Sequence, residues 1–110
     1  MELSSQAHDN ITIIQVEGRI DHKSAKDFEL AFAPFLESDQ GDLLLDLSGL
    51  EFMTSSGLRV LMIAAKTCQK QGREIVVAAL QPKIKEIFQI SRFDLILKVH
   101  ESVEVALNNL

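Results

Sequence analysis

Residues 43–58 read LLLDLSGLEFMTSSGL. Residues 43–47 form an apolar run broken only by Asp46, the pattern of a central strand covered on at least one face. A polar turn follows. Thr54, Ser55 and Ser56 then stand where a helix continued by residues 58–70 begins. A hydroxyl in that place contributes little to a core. It is well placed to be read by another protein, or to be covalently modified.

Outward from this stretch, strands and helices alternate. Residues 11–16 (ITIIQV) are a β-branched run bounded by Asp9-Asn10 and Gly18, and residues 2–6 can pair with them as a short edge strand. Ser24 reads as a helix N-cap with Asp27 three residues on, followed by Ala25, Phe28, Ala31, Phe32 and Phe35 at helical spacing. Pro34 should kink or fray the last turn of that helix, and residues 38–42 (SDQGD) form a loop. Downstream, Gly72 introduces a buried strand over residues 74–80 (EIVVAAL). Pro82 fits a first helical position, with Ile84, Ile87, Phe88 and Ser91 after it. Residues 95–99 read as a last short strand, and Ser102 can cap a terminal helix carrying Val103, Ala106 and Leu107.

Short connections between alternating elements imply right-handed crossovers and a largely parallel sheet. So few helices favour one αβ layer over a doubly wound fold. The expectation is an α/β chain forming one domain over residues 1–110, a length that supports one core but not two.

Composition narrows the function. With 46% hydrophobic and 25% charged residues, the chain has the make-up of a folded domain. A net charge of −5 without a basic cluster argues against nucleic acid as a partner, and six Phe without Trp or Tyr offer no base-stacking platform. No stretch approaches the ~20 apolar residues that cross a bilayer, so no direct membrane insertion is expected. The first ten residues lack the basic start and apolar run of a signal peptide, which predicts a cytoplasmic location. Cys68, the single cysteine, falls among apolar helix positions and reads as a buried structural thiol.

Catalytic readings find no support. His8, His22 and His100 lie far apart without metal-ligand spacing and read as surface residues. Gly49 and Gly57 are isolated, so no phosphate-cradling loop is present, and there is no G-x-S-x-G elbow. Asp21, Asp42 and Asp46 are spaced as turn and strand-end residues. We therefore expect no catalytic centre, no metal site and no cofactor.

The serine turn has two physical readings. A helix N-terminus has unpaired N–H groups and a positive dipole end, so a phosphate on Ser55 or Ser56 is locally tolerated while adding about −1.5 to −2 charge to the surface. Against this stands plain capping, worth ~1 kcal/mol relative to Ala. At 100° per residue, Leu58, Leu61, Met62, Ala65 and Cys68 share one face, which should be the core face. Val60, Ile63, Ala64 and Thr67 cluster nearly opposite, and Arg59, Lys66 and Lys70 line a flank. A second apolar stripe is either packed laterally or open to a partner.

With these residues in view, the chain resembles the STAS domains, and among them the bacterial anti-sigma factor antagonists, over nearly its whole length. Residues 45–58 match the signature DLSxLxFMxSSGL. Gly18-Arg19-Ile20-Asp21 resembles the family's turn before the first helix, and residues 81–91 (QPKIKEIFQIS) resemble its third helix. The resemblance implies a STAS fold: a four- to five-stranded mixed, mostly parallel sheet with about four helices mainly on one side. It also implies a phosphorylation site at Ser55, with Ser56 as second choice. The modifying enzyme would be a GHKL-type serine kinase that is itself the anti-sigma factor, and a metal-dependent serine phosphatase would reverse the step. Unphosphorylated antagonist binds the kinase and frees the sigma factor; the phosphorylated form is released. The partner surface so implied comprises Asp21, Thr54, Ser55, Ser56, Gly57, Leu58, Arg59, Val60 and Ile63, on a monomer or weak dimer.

Two positions depart from the family pattern. Thr54 stands where many phospho-regulated members have an acid, and Ser91-Arg92-Phe93 replaces the frequent Ser/Thr-Gly-Leu at a turn that favours left-handed backbone. Thr54 keeps open an alternative within the family: a non-switching adaptor or scaffold, in a stress-signalling complex or a lipid or anion transport system.

Overall fold

The computed structural model describes residues 1–38 and 41–110. Asp39 and Gln40, the middle of the loop expected over residues 38–42, lie outside the described residues. The elements run β1 (Glu2–His8), β2 (Ile11–Ile20), α1 (Ser24–Glu37), β3 (Asp42–Asp46), β4 (Leu50–Met53), α2 (Ser55–Lys70), β5 (Ile75–Ala78), α3 (Pro82–Ile90), a 3₁₀ turn (Phe93–Leu95), β6 (Lys98–His100) and α4 (Val103–Asn108). The architecture is the expected α/β one with a mixed, mostly parallel sheet. Among the described residues the sheet has six strands, more than the four or five expected.

The order is β1-β2-β3-β5-β6, with β4 pairing β2 off that path. Among the described strands only β1 runs antiparallel to its neighbour. The extra strand comes from the supposed polar turn. Asp46 Oδ1 accepts from the Ser48 N–H at 3.0 Å, and the Leu50 N–H reaches the Leu47 carbonyl at 3.0 Å, turning the chain out of β3. Residues 50–53 then pair in parallel with the far end of β2, placing Ile20 beside Met53. Strand β2 serves both neighbours because its register shifts between Gly18 and Arg19, where Gly18 has φ +95°.

The Leu43-Leu44-Leu45 run is apolar throughout because both of its faces are covered. Leu43 and Leu45 join the main core under α1, α2 and α3, whereas Leu44 joins Ile13, Val76 and Ala78 in a smaller cluster closed by Ala106. Thus, among the described helices, α4 alone covers the opposite face, and Ser102 Oγ caps it by accepting from the Val105 N–H at 3.1 Å.

Three local readings change. Ser24 is the first residue of α1 and not its cap: Lys23 holds that position without a side-chain capping bond, while in the turn before it the Asp21 carbonyl accepts the Ala25 N–H and its carboxylate those of Lys23 and Ser24. Helix α1 continues through Pro34 to Glu37 instead of fraying, with the Ser38 N–H on the Pro34 carbonyl at 3.2 Å. The last strand is shorter than residues 95–99, since Phe93 seats on Phe88 with ring centroids 5.3 Å apart and winds its neighbours into the 3₁₀ turn. Arg92 does adopt the left-handed geometry of that turn, at φ 59°.

Candidate functional site: the start of the second helix

The parallel pairing of Ile20 with Met53 brings the β2–α1 turn alongside the first turn of α2. The Thr54 N–H extends this ladder to the Ile20 carbonyl at 2.9 Å, and the Thr54 carbonyl accepts the first helical bond, from the Leu58 N–H at 3.1 Å. Thr54 is therefore the N-cap residue of α2, but its side chain makes no capping bond. Its Oγ1 is buried and has no hydrogen-bond partner among the described residues. The serines are not the cap, which removes the plain-capping account of them: both follow Thr54 in the first turn.

Their environments differ. Ser55 is exposed and its hydroxyl makes no hydrogen bond among the described residues. Ser56 is half-buried and holds His22, with Nδ1 and Oγ 2.7 Å apart. His22 is a surface residue, as its isolation in the sequence suggests, yet it belongs to this site. Its spacing of 34 residues from Ser56 gives no sequence signal; the β2:β4 register alone joins them.

Asp21 is built into the neighbouring turn. Oδ1 accepts from the Lys23 and Ser24 N–H groups, each at 2.9 Å, and lies 3.0 Å from Ser24 Oγ; the Asp21 N–H donates to that Oγ at 2.8 Å. The bond from the Ser24 N–H is the main cause that holds the Asp21 carboxyl below its ordinary value of 3.8. A depressed value means stabilisation that is full above the ordinary value and is lost as the pH falls through the folded-state value. Asn at position 21 still offers an oxygen to these N–H groups but takes up no proton. Ser24 aside, the urea midpoint of Asp21→Asn should therefore depend less on pH than that of the wild type below about pH 4. Equal acid dependence of the two midpoints would contradict this role for Asp21.

Gly57 is buried because α2 rests directly on the strands. A Cβ there would lie 2.9 Å from both Ile20 Cγ2 and Met53 Cγ, neither of which is the end of a flexible chain. Overpacking costs about 1–3 kcal/mol, and the helix-propensity gain of Gly→Ala returns at most ~1 kcal/mol. We expect Gly57→Ala to lose roughly 1–2 kcal/mol in chemical denaturation. A variant as stable as wild type would show that this contact yields freely.

The second apolar stripe of α2 needs correction. Val60 and Ala64 are buried, at 8% and 0% exposure, because α1 packs beside this flank. Val60 thus offers little surface of its own, and Ile63, 47% exposed, is the stripe residue left most open. Between α1 and α2 runs a shallow groove of about 290 Å³ lined by Ala25, Lys26, Glu29, Ser56, Arg59, Val60 and Ile63. Leu58 is half-buried against the main core, whereas Arg59 is exposed. Of the predicted residues, Ser56, Arg59, Val60 and Ile63 line this groove, Ser55 precedes them in the first turn of α2, Asp21 lies in the turn that His22 joins to Ser56, and Gly57 is buried beneath. Lys26 and Glu29, on α1, join it through tertiary packing alone. Among the described residues no cluster of three or more His, Cys, Asp or Glu could hold a metal ion, and no helix is long and apolar enough to cross a membrane.

The STAS domain family model matches residues 2–106. BtrV of Bordetella bronchiseptica, named as a candidate anti-sigma factor antagonist, is 31% identical over 106 residues, covering 96% of this chain and 91% of that protein. The anti-sigma F factor antagonist of Paenibacillus polymyxa is 23% identical over 111 residues, covering 100% of this chain and 95% of that protein. The crystal structure of a candidate anti-sigma factor antagonist from Thermotoga maritima superimposes with a TM-score of 0.88 over 97% of this chain and 92% of that one, at 19% identity, a likeness of fold. With its β2–α1 turn and serine-bearing helix start joined on one sheet edge, this chain belongs to the STAS domain family.

Proposed function

We propose that this chain is an anti-sigma factor antagonist working by partner switching, a regulatory domain and not an enzyme. The names of its relatives support the antagonist reading. The observation that carries the switch is Ser55, an exposed residue in the first turn of α2, next to Ser56, whose hydroxyl His22 joins to the β2–α1 turn. In this reading the unmodified chain, acting in the cytoplasm as one domain over residues 1–110, binds an anti-sigma factor that is a GHKL-type serine kinase. The kinase phosphorylates Ser55, the added charge opposes the contact, and a metal-dependent serine phosphatase restores the binding form. No refolding is required, since a charge at the start of a helix is tolerated locally.

A non-switching adaptor is the second reading, and Thr54 favours it. A buried hydroxyl, without a hydrogen-bond partner among the described residues, stands where many phospho-regulated members carry an acid. Site-resolved phosphopeptide mass spectrometry across residues 52–59, on protein from its native cells in growth and under stress, separates the two. Phosphate on Ser55 that changes with condition is the expected result. Abundant unmodified peptide under every condition would leave the adaptor reading in its place.

A further inference from the structure

We infer that His22 is a positioning residue that assigns the modification to Ser55 by holding the hydroxyl of Ser56. This inference rests on the partner-switching reading above. Two adjacent serines open the same helix, and their chemistry alone does not distinguish them. Phosphoryl transfer needs an acceptor hydroxyl free to turn towards the incoming phosphorus. Ser55 meets that need: it is exposed and makes no hydrogen bond among the described residues. Ser56 does not, because its Oγ lies 2.7 Å from His22 Nδ1 and its residue is half-buried. Either ring tautomer engages the hydroxyl, as donor or as acceptor.

His22 cannot easily swing aside with its backbone. The main chain on either side is held by the Asp21 carboxylate on the Lys23 and Ser24 N–H groups and by the Asp21 N–H on Ser24 Oγ. A phosphate on Ser56 would have to displace the imidazole from a turn fixed at these points. The same contact ties the β2–α1 turn to α2, so Asp21 and Ser55 are presented to a partner as one surface. Breaking one such hydrogen bond alters an equilibrium by about two- to tenfold.

The test is phosphopeptide mass spectrometry across residues 52–59 on protein from native cells, in the condition that phosphorylates Ser55. It compares wild type, His22→Leu, His22→Asn, Ser55→Ala and the Ser55→Ala/His22→Leu double variant. Ser56 occupancy should rise about two- to tenfold from Ser55→Ala to the double variant, and in His22→Leu relative to wild type. His22→Asn should keep the wild-type distribution, because its amide places a polar atom near the position of Nδ1. That rescue separates positioning from a general loosening of the turn. Phosphate on Ser55 with Ser56 occupancy unmoved by His22→Leu overturns the role of His22 and leaves the switch intact. Ser56 phosphorylated as fully in Ser55→Ala as in the double variant does the same. No phosphate on either serine in wild type overturns the switch, and this inference with it.

Discussion

Ser55→Asp should bind the anti-sigma factor kinase about 10- to 100-fold more weakly than Ser55→Ala, which should bind like wild type within a few-fold. The side chain at this position is exposed and leads α2, whose start adjoins the β2–α1 turn, so a change here alters the proposed docking surface without touching the core. Truncation to Ala removes a hydroxyl that has no partner within the described chain. Aspartate instead places a charge that a docked partner must either pair or strip of water. An unpaired charge at a contact costs about 2–5 kcal/mol when buried and less at a rim. One carboxylate carries less charge than a phosphate, which places Asp at the lower end, near 1.4–2.8 kcal/mol. Stability should move the other way, because an acid in the first turn of a helix gains about 0.3–1 kcal/mol from the dipole. Titration calorimetry and thermal unfolding on the same samples therefore separate a binding switch from damage to the fold. If Ala and Asp bind the kinase equally, charge at this position does not control the contact.

Arg73→Ala should lower the free energy of unfolding by about 2–4 kcal/mol, a large effect for a charged side chain. Arg73 follows α2 and is 9% exposed. Its Nε donates to the Gly41 carbonyl at 2.7 Å, and Nη1 serves the carbonyls of Phe35 (3.1 Å) and Ser38 and the side chain of Gln71 (2.9 Å). Helix α1 has no basic residue in its own last turn. The guanidinium supplies that cation from another element, pairing carbonyls at the negative end of the dipole. Hydrogen bonds to a charged group contribute about 1.5–3 kcal/mol each. Water can reach the vacated carbonyls at this edge of the fold, so the loss should fall short of their sum. Lysine keeps the charge but not the planar fork, and Arg73→Lys should lie between. Urea denaturation checks both, and an unchanged midpoint in Arg73→Ala would show the network to be dispensable. Because Gln71 also donates to the Leu36 carbonyl at 2.9 Å, α1 and α2 are joined at both ends. Arg73 acts at the C-terminal ends; His22 and Ser56 meet at the N-terminal ends. Partner binding by folded Arg73 variants should thus be preserved.

How much of this was legible beforehand depends on the range of the interactions involved. The β3 run, the proline start of α3, the Ser102 cap and the helix that begins at the serines are set by neighbours a few residues away. Local rules of capping, β-branching and turn chemistry suffice for them. Strand β4 was hidden because its four residues, LEFM, are too few to show a period and follow directly on a turn. The cap position of α1 fell to Lys23 and not Ser24, with Asp21 accepting the N–H groups of the turn, because both Ser and Asp favour such places and only the backbone path selects between them.

The composition and order of residues alone determined that this protein would be an α/β layer, and that a pair of hydroxyls would lead its second helix. Those outcomes follow from local propensity and hydrophobic period. Tertiary structure decided the rest of the site. A helical wheel displays two apolar stripes on α2 but cannot say which neighbour arrives; α1 arrived, buried Val60 and Ala64, and left Ile63 outside. Spacing likewise cannot join His22 to Ser56. The join exists because β2 and β4 run parallel with Ile20 beside Met53, so the turns beyond the two strand ends emerge side by side.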